Sequence, residues 1–440
     1  MQQGSFGSLF TRALSLMLAA TLWVSLGGMQ THAAERRKVV VASNFGAGST
    51  QGQGVIDVTE AFQEAHPEIE IELLMGFAED KYLTSVASGT APDVYTAGDA
   101  RIKGYVLEGL AADITRFVDS DTRLSADDFW PPAWSRVRHA GRIWGLPYSA
   151  DPNFALAINT SHFAEVGLDS SDPVPTIADV DAAHMRLTRA TSDRLERIGI
   201  VPWDMPAGPL GGAIFTWGWT FGGSFYDEES GKITPLDPGI VAATEWMLSH
   251  DERNPQEVIL AATAPNLNRR FALGQVSMQP LNPPILTNVL RTAPDLDVEI
   301  LPMPRYPGGP ENTMWIGGHT FFVSAGSEQK EAAYEYIRYA AGTPEGSGRL
   351  LGPAGFFPAY RHSKAYEQLL EIEWNRQFVA LQSTAVLERA SIPAVREYGE
   401  AFKAALDKVL DRTLAPREAL AEVERLVQPV VTSALEQAKL

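Results

Sequence analysis

Residues 39–54 read VVVASNFGAGSTQGQG, three valines followed by a glycine-rich turn of the kind that cradles phosphate in many nucleotide sites. The spacing excludes that chemistry. A dinucleotide fingerprint needs glycines at its first, third and sixth positions; Gly46 and Gly48 supply two, but Gln51 holds the last. A P-loop needs a lysine at its end, and none stands between Lys38 and Lys81. The chain has no cysteine, no HExxH and no GxSxG, and its 8 histidines are scattered without ligand spacing. The acidic stretch at 119–128 lacks the glycine and closing glutamate of a calcium loop. No cofactor and no metal is expected. Asp99 and Asp151 could be cast as the carboxylate pair of a glycosidase, but with 54 acidic residues such pairs arise readily by chance. The conspicuous chemistry is aromatic. Tryptophans sit beside glycine or proline in FWPPAW, RIWGLPY, VPWDMP, TWGWTFGG and MWIGGH. One such ring alone is ordinary core, whereas a set of them in loops suits a flat, partly apolar ligand.

Charge narrows the partner. The formal net charge is −18. Such a chain repels nucleic acid and anionic lipid, leaving neutral or cationic ligands. Arg12 is the only Lys, Arg, Asp or Glu before Glu35, and the apolar run Ala13–Leu26 is too short to span a bilayer. With Thr31-His32-Ala33 as a cleavage site, residues 1–33 read as a signal peptide. The absence of cysteine removes a lipid anchor, so the expected location is the periplasm.

The remaining chain is too long for one core. Strand and helix signals alternate, which argues for α/β construction. Strands are expected at Lys38–Ser43, Ile69–Met75, Pro92–Thr96, Leu296–Leu301 and Thr320–Ser324. Helices are expected at Val55–Ala65, Asp80–Ser88, Arg101–Leu107, Thr176–Thr191, Pro238–Ser249 and Glu328–Ala341, the last capped by Ser327. Pro416 opens the last helix.

Six segments, in order, resemble the family 1 extracellular solute-binding proteins, the maltose-binding-protein-like receptors of ABC importers. They are ASGTAPDVY (87–95), GYVLEGLAADI (104–114), GRIWGLPYSADPNFALAINTSHFAEVGLD (141–169), WTFGGSFYDEESGKIT (219–234), FALGQVSM (271–278) and EAAYEYIRYAAGTPEGSG (331–348). The resemblance implies two α/β lobes joined by hinge crossings near Leu146–Asp151, Pro307–Gly317 and Leu351–Pro358. It places residues 38–148 plus 318–352 in one lobe and 149–312 plus 356–440 in the other. It implies a monomeric receptor that captures a sugar between the lobes and delivers it to an ABC permease, with no reaction catalysed. A glycerol phosphodiester or polyamine is the alternative ligand.

A sugar stacks its C–H face on aromatic rings and needs acceptors and donors around its rim. By the resemblance, residues 44–53 form a loop lining the cleft, with Asn44, Ser49 and Gln51 as candidates, although Ser43-Asn44-Phe45 departs from the family pattern. Asp99 matches a ligand-facing acid, or alternatively caps the following helix. Tyr148 and Asp151 fall in the first crossing. Trp219, just before Gly222 and Gly223, is the leading stacking platform, followed by Trp217. Trp315, before Gly317, approaches from the other side. Trp203 and Asn282 complete the set.

Overall fold

The computed structural model describes residues 36–169, 174–191, 194–205, 212–352, 355–382 and 392–437. The signal-peptide reading lies outside them. In chain order the elements that frame the site are β1 (Arg37–Ala42), α1 (Thr50–Ala65), β2 (Ile69–Leu74), β3 (Val94–Gly98), α2 (Ile102–Leu107), β4 (Leu146–Pro147), β5 (Asp151–Asn153), β6 (Ala155–Asn159), α3 (Ala213–Thr220), β7 (Met278–Leu281), α4 (Pro283–Thr292), β8 (Val298–Leu301), β9 (Trp315–Gly317), β10 (His319–Val323), α5 (Pro344–Leu351), α6 (Val395–Leu410) and α7 (Pro416–Gln437).

The fold is α/β and two-lobed. One lobe is built on the five-stranded sheet β2-β1-β3-β10-β4. Its β1 runs parallel to both β2 and β3, while β10 is antiparallel to β3 and β4. Val39 and Val41 of β1 and Val94 of β3 are fully buried, and Val40, on the opposite face of β1, is half-buried. The other lobe holds the antiparallel sheet β7-β6-β8, in which every residue of β6 is buried.

Three stretches of chain pass between these sheets and are hydrogen-bonded to one another. The first runs from β4 through β5 to β6, and the second from β9 to β10. β5 and β9 pair antiparallel, Asp151 opposite Gly317 and Asn153 opposite Trp315. The third, at Phe356–Ala359, is tied to the first: the Ala150 amide donates to Phe357 O at 2.7 Å and the Ala359 amide to Tyr148 O at 3.0 Å.

The opening glycines divide between two roles. Helix α1 begins at Thr50, because the Ser49 hydroxyl accepts the Gly52 amide at 2.9 Å and caps it. The loop expected over 44–53 is therefore only 44–49, and Gln51 belongs to the first helical turn. Gly52 and Gly54 serve close approach: a Cβ at Gly54 would lie 2.1 Å from Leu350 O on α5, and one at Gly52 only 2.0 Å from Gly46 O. Gly46 and Gly48 face open space. Two further boundaries move. The helix expected at Thr176–Thr191 ends at Leu187. The helix expected from Glu328 starts at Lys330, with Ser327 accepting the Gln329 amide one turn early.

Candidate functional site

Open α/β sheets bind ligands beyond the carboxyl ends of their strands. Here those ends are the loop after β1 and the turn after β3, and the three crossings lie beside them. Asn44 is exposed and locked to the sheet: its amide donates to Thr96 Oγ1 at 3.2 Å, and Thr96 Oγ1 donates to Asn44 Oδ1 at 3.0 Å. Phe45 follows, its ring 5.2 Å from His319 and 6.1 Å from Phe356. Asp99 stands where β3 ends, its amide donating to Gly318 O at 2.9 Å. That bond ties the acid to the second crossing; Asp99 lies within the short 3₁₀ turn rather than capping it.

Behind this rim lies a buried polar layer. Tyr148 stacks on His319 with ring centroids 5.7 Å apart and 18° between planes. The Tyr148 hydroxyl is buried without a hydrogen-bond partner, and burial holds it far above its ordinary range. Burial pushes His319 down to about 4, against a smaller opposing pull from Asp99, so the ring is neutral at pH 7. Ser149 Oγ accepts the His319 amide at 3.0 Å. Asp151 is only 3% exposed. Its Oδ1 accepts the Phe357 amide at 2.8 Å, which bolts the first crossing to the third. Burial pushes its carboxyl up to about 8, while the Phe357 amide and Ser149 hydroxyl pull it down and the charge of Asp99 adds to the rise.

The next layer belongs to the second lobe. Asn153 Nδ2 donates to Asp151 O at 2.8 Å and its Oδ1 accepts from Asn282 Nδ2 at 2.6 Å. Asn282 in turn caps α4 by accepting the Ile285 amide. The Trp315 ring folds back over Gly317, where an added Cβ would fall 1.8 Å from a ring atom. Trp219 meets it edge-on, centroids 6.3 Å apart, and packs against Phe215 and Phe225 on its other side.

The structure thus brings Asn44, Asp99, Tyr148, Asp151, Asn282, Trp315, Gly317 and Trp219 into one connected neighbourhood. It puts others elsewhere. Trp217 is fully buried in the second lobe, donating to Pro202 O at 2.8 Å and packed on Trp246, so no face is left for a ligand. Trp203 lines a separate cavity of about 510 Å³ with Phe215 and Phe402. Gly222, at φ 80°, makes the turn after α3, and Gly223 gives Ile240 and Gly239 room to pack. Phe356 is the residue that the sequence reading missed, whereas Phe45 lies in the loop expected to line the cleft and His319, after Gly317-Gly318, is the one histidine expected in a suggestive loop, with a polar hinge contact rather than a ligand role. Only the Phe pair after Gly355 could have pointed to Phe356.

This arrangement of an acid, an amide rim and rings at the meeting of two lobes can be set beside known proteins. The profile of the bacterial extracellular solute-binding proteins matches residues 46–346. No relative is found among curated proteins. Solved structures share the fold. CpMnBP1, solved with mannotriose bound, is 20% identical with a TM-score of 0.77 over 89% of this chain and 99% of that one. An ABC substrate-binding protein from Listeria monocytogenes in complex with cycloalternan is 18% identical, with a TM-score of 0.74 over 90% and 99%. The GacH receptor of Streptomyces glaucescens, solved unliganded and with acarbose, is 18% identical, with a TM-score of 0.72 over 90% and 99%. With more than half its length matched by the family profile, the chain belongs to the bacterial extracellular solute-binding proteins.

Proposed function

We propose that this protein is the periplasmic receptor of an ABC importer and captures a sugar, an oligosaccharide or glycoside, between its lobes. The observation that carries the reading is the group around Asp99: its backbone amide donates to Gly318 O of the second crossing, its charge acts on His319, and the rings of Phe45 and Phe356 pack against that histidine. Carboxylate and amide groups suit sugar hydroxyls, and rings suit the C–H face. The sugars in the similar structures, mannotriose, cycloalternan and acarbose, support the class. Residues 38–148 plus 318–352 form the first lobe and 149–312 plus 356–440 the second. Ligand binding favours the closed arrangement, which a membrane permease then reads, and the receptor works as a monomer. Export by the segment 1–33 accounts for the location.

Calorimetry against a panel of oligosaccharides, monosaccharides, polyols, glycerol phosphodiesters and polyamines tests the reading. A sugar bound at micromolar affinity or tighter, about −8 kcal/mol, is expected. Heat from a phosphodiester or polyamine alone would replace the sugar with the alternative ligand. Chromatography of the saccharide recovered from the complex should return it intact; shortened products would make the protein a glycosidase.

A further inference from the structure

The two lobes also touch outside the crossings. Helix α2 of the first lobe packs against α7 of the second. Ala394, left-handed at φ 54°, turns the chain into α6 and brings Arg396 to this contact. Arg396 Nη1 lies 3.6 Å from Asp80 Oδ1 in the first lobe, and its Nη2 lies 2.8 Å from Glu397 in its own. A small hollow between them is walled by Glu79, Arg101 and Glu108 on one side and Val395, Arg396 and Glu397 on the other. Arg101 is already engaged within its lobe, 2.7 Å from Glu79, which also accepts the Tyr105 hydroxyl at 2.6 Å. A second cation reaches the opposite way: Lys103 Nζ on α2 sits 5.5 Å over the ring of Tyr226, near the charge of Glu228.

Without these two cations only Arg101, which also pairs with Glu79, would stand between Glu79, Asp80 and Glu108 on one side and Glu397 on the other, and like charges resist contact. The repulsion registers already, since burial and then Glu397 push the Glu108 carboxyl up. We infer that Arg396 and Lys103 are positioning residues of closure, reciprocal bolts that each lobe throws across to the other and that set the fraction of receptor held shut.

Small-angle scattering on the protein with no ligand added tests this. The wild type should be compact at low salt and expand at about 1 M NaCl, where charges are screened beyond about 3 Å. The Arg396→Ala, Lys103→Ala double variant should already be expanded at low salt and ignore added salt, with an unchanged far-ultraviolet spectrum. In a separate protein Arg396→Asp alone should expand the receptor, and adding Asp80→Arg should recover the compact form. Equal radii for wild type and double variant, or an exchange that recovers nothing, would overturn the inference. Its consequence rests on the receptor reading: the double variant should bind the sugar found by calorimetry about fivefold more weakly. Scattering needs no sugar, so failure of the bolts and failure of the sugar reading are told apart.

Discussion

At the scale of single residues, the hinge carboxylate is the sharpest case. Asp151 is buried among the crossings, and its carboxyl is raised from 3.8 to about 8. The folded protein holds this proton more tightly than the unfolded chain. The resulting stability is complete below the unfolded value and is lost as pH rises toward 8. Asp151→Asn keeps an oxygen for the Phe357 amide and removes the titration. Its melting temperature should therefore fall less than that of the wild type between pH 5 and 8; parallel curves would show that Asp151 ionises normally. The tryptophans carry a second prediction. Trp219 is 6% exposed and wedged among Phe215, Phe225 and Trp315. Trp219→Ala should cost about 3–5 kcal/mol in urea unfolding, a packing loss rather than a loss of binding alone. The residue types of the candidate site are present in the sequence, but which ring faces the cleft is not, because burial of Trp217 follows from its tertiary contacts with Trp246 and Pro202.

At the scale of elements, the glycine-rich start of the first helix has a measurable purpose. Gly54 lets α1 approach α5 until a Cβ would stand 2.1 Å from a backbone oxygen. Gly54→Ala forces the helices apart and should lower stability by about 1–3 kcal/mol, read from denaturant midpoints. An alanine at Gly48, which faces open space, should cost far less. Period and capping made the helices and strands legible in the sequence, with boundaries off by a few residues. The misses have a local cause: Ser49 caps α1 earlier than the apolar pattern begins, so the expected loop gives up its second half to the helix.

At the scale of the whole molecule, three histidines, His184 buried and His162 and His319 half-buried, set the response to acid. Burial pushes His162 to about 4, His184 to about 3 and His319 to about 4, against an ordinary 6.5. Each prefers to be neutral in the fold. Their contribution is present above pH 6.5 and is lost as pH falls through 4 for His162 and His319 and through 3 for His184, as the rings take up protons. Urea midpoints should therefore fall steadily from pH 6.5 to 4, with the proton on Asp151 offsetting part of the loss. His184→Gln should flatten the curve while a constant packing loss lowers it at every pH; an unchanged slope would show that His184 does not contribute.

The sequence by itself determined the construction: the alternation of strand and helix, the buried first strand, the absence of cysteine and of catalytic or phosphate motifs, and a family likeness spread over most of the chain. These are properties of short windows, where periodicity and spacing are read directly. Only the tertiary structure decided the site. Asp99 meets Gly318, Asp151 meets Phe357 and Trp315 folds over Gly317, and two of these three contacts join residues hundreds of positions apart. Those two depend on distant stretches of chain docking side by side, an arrangement that no local pattern encodes.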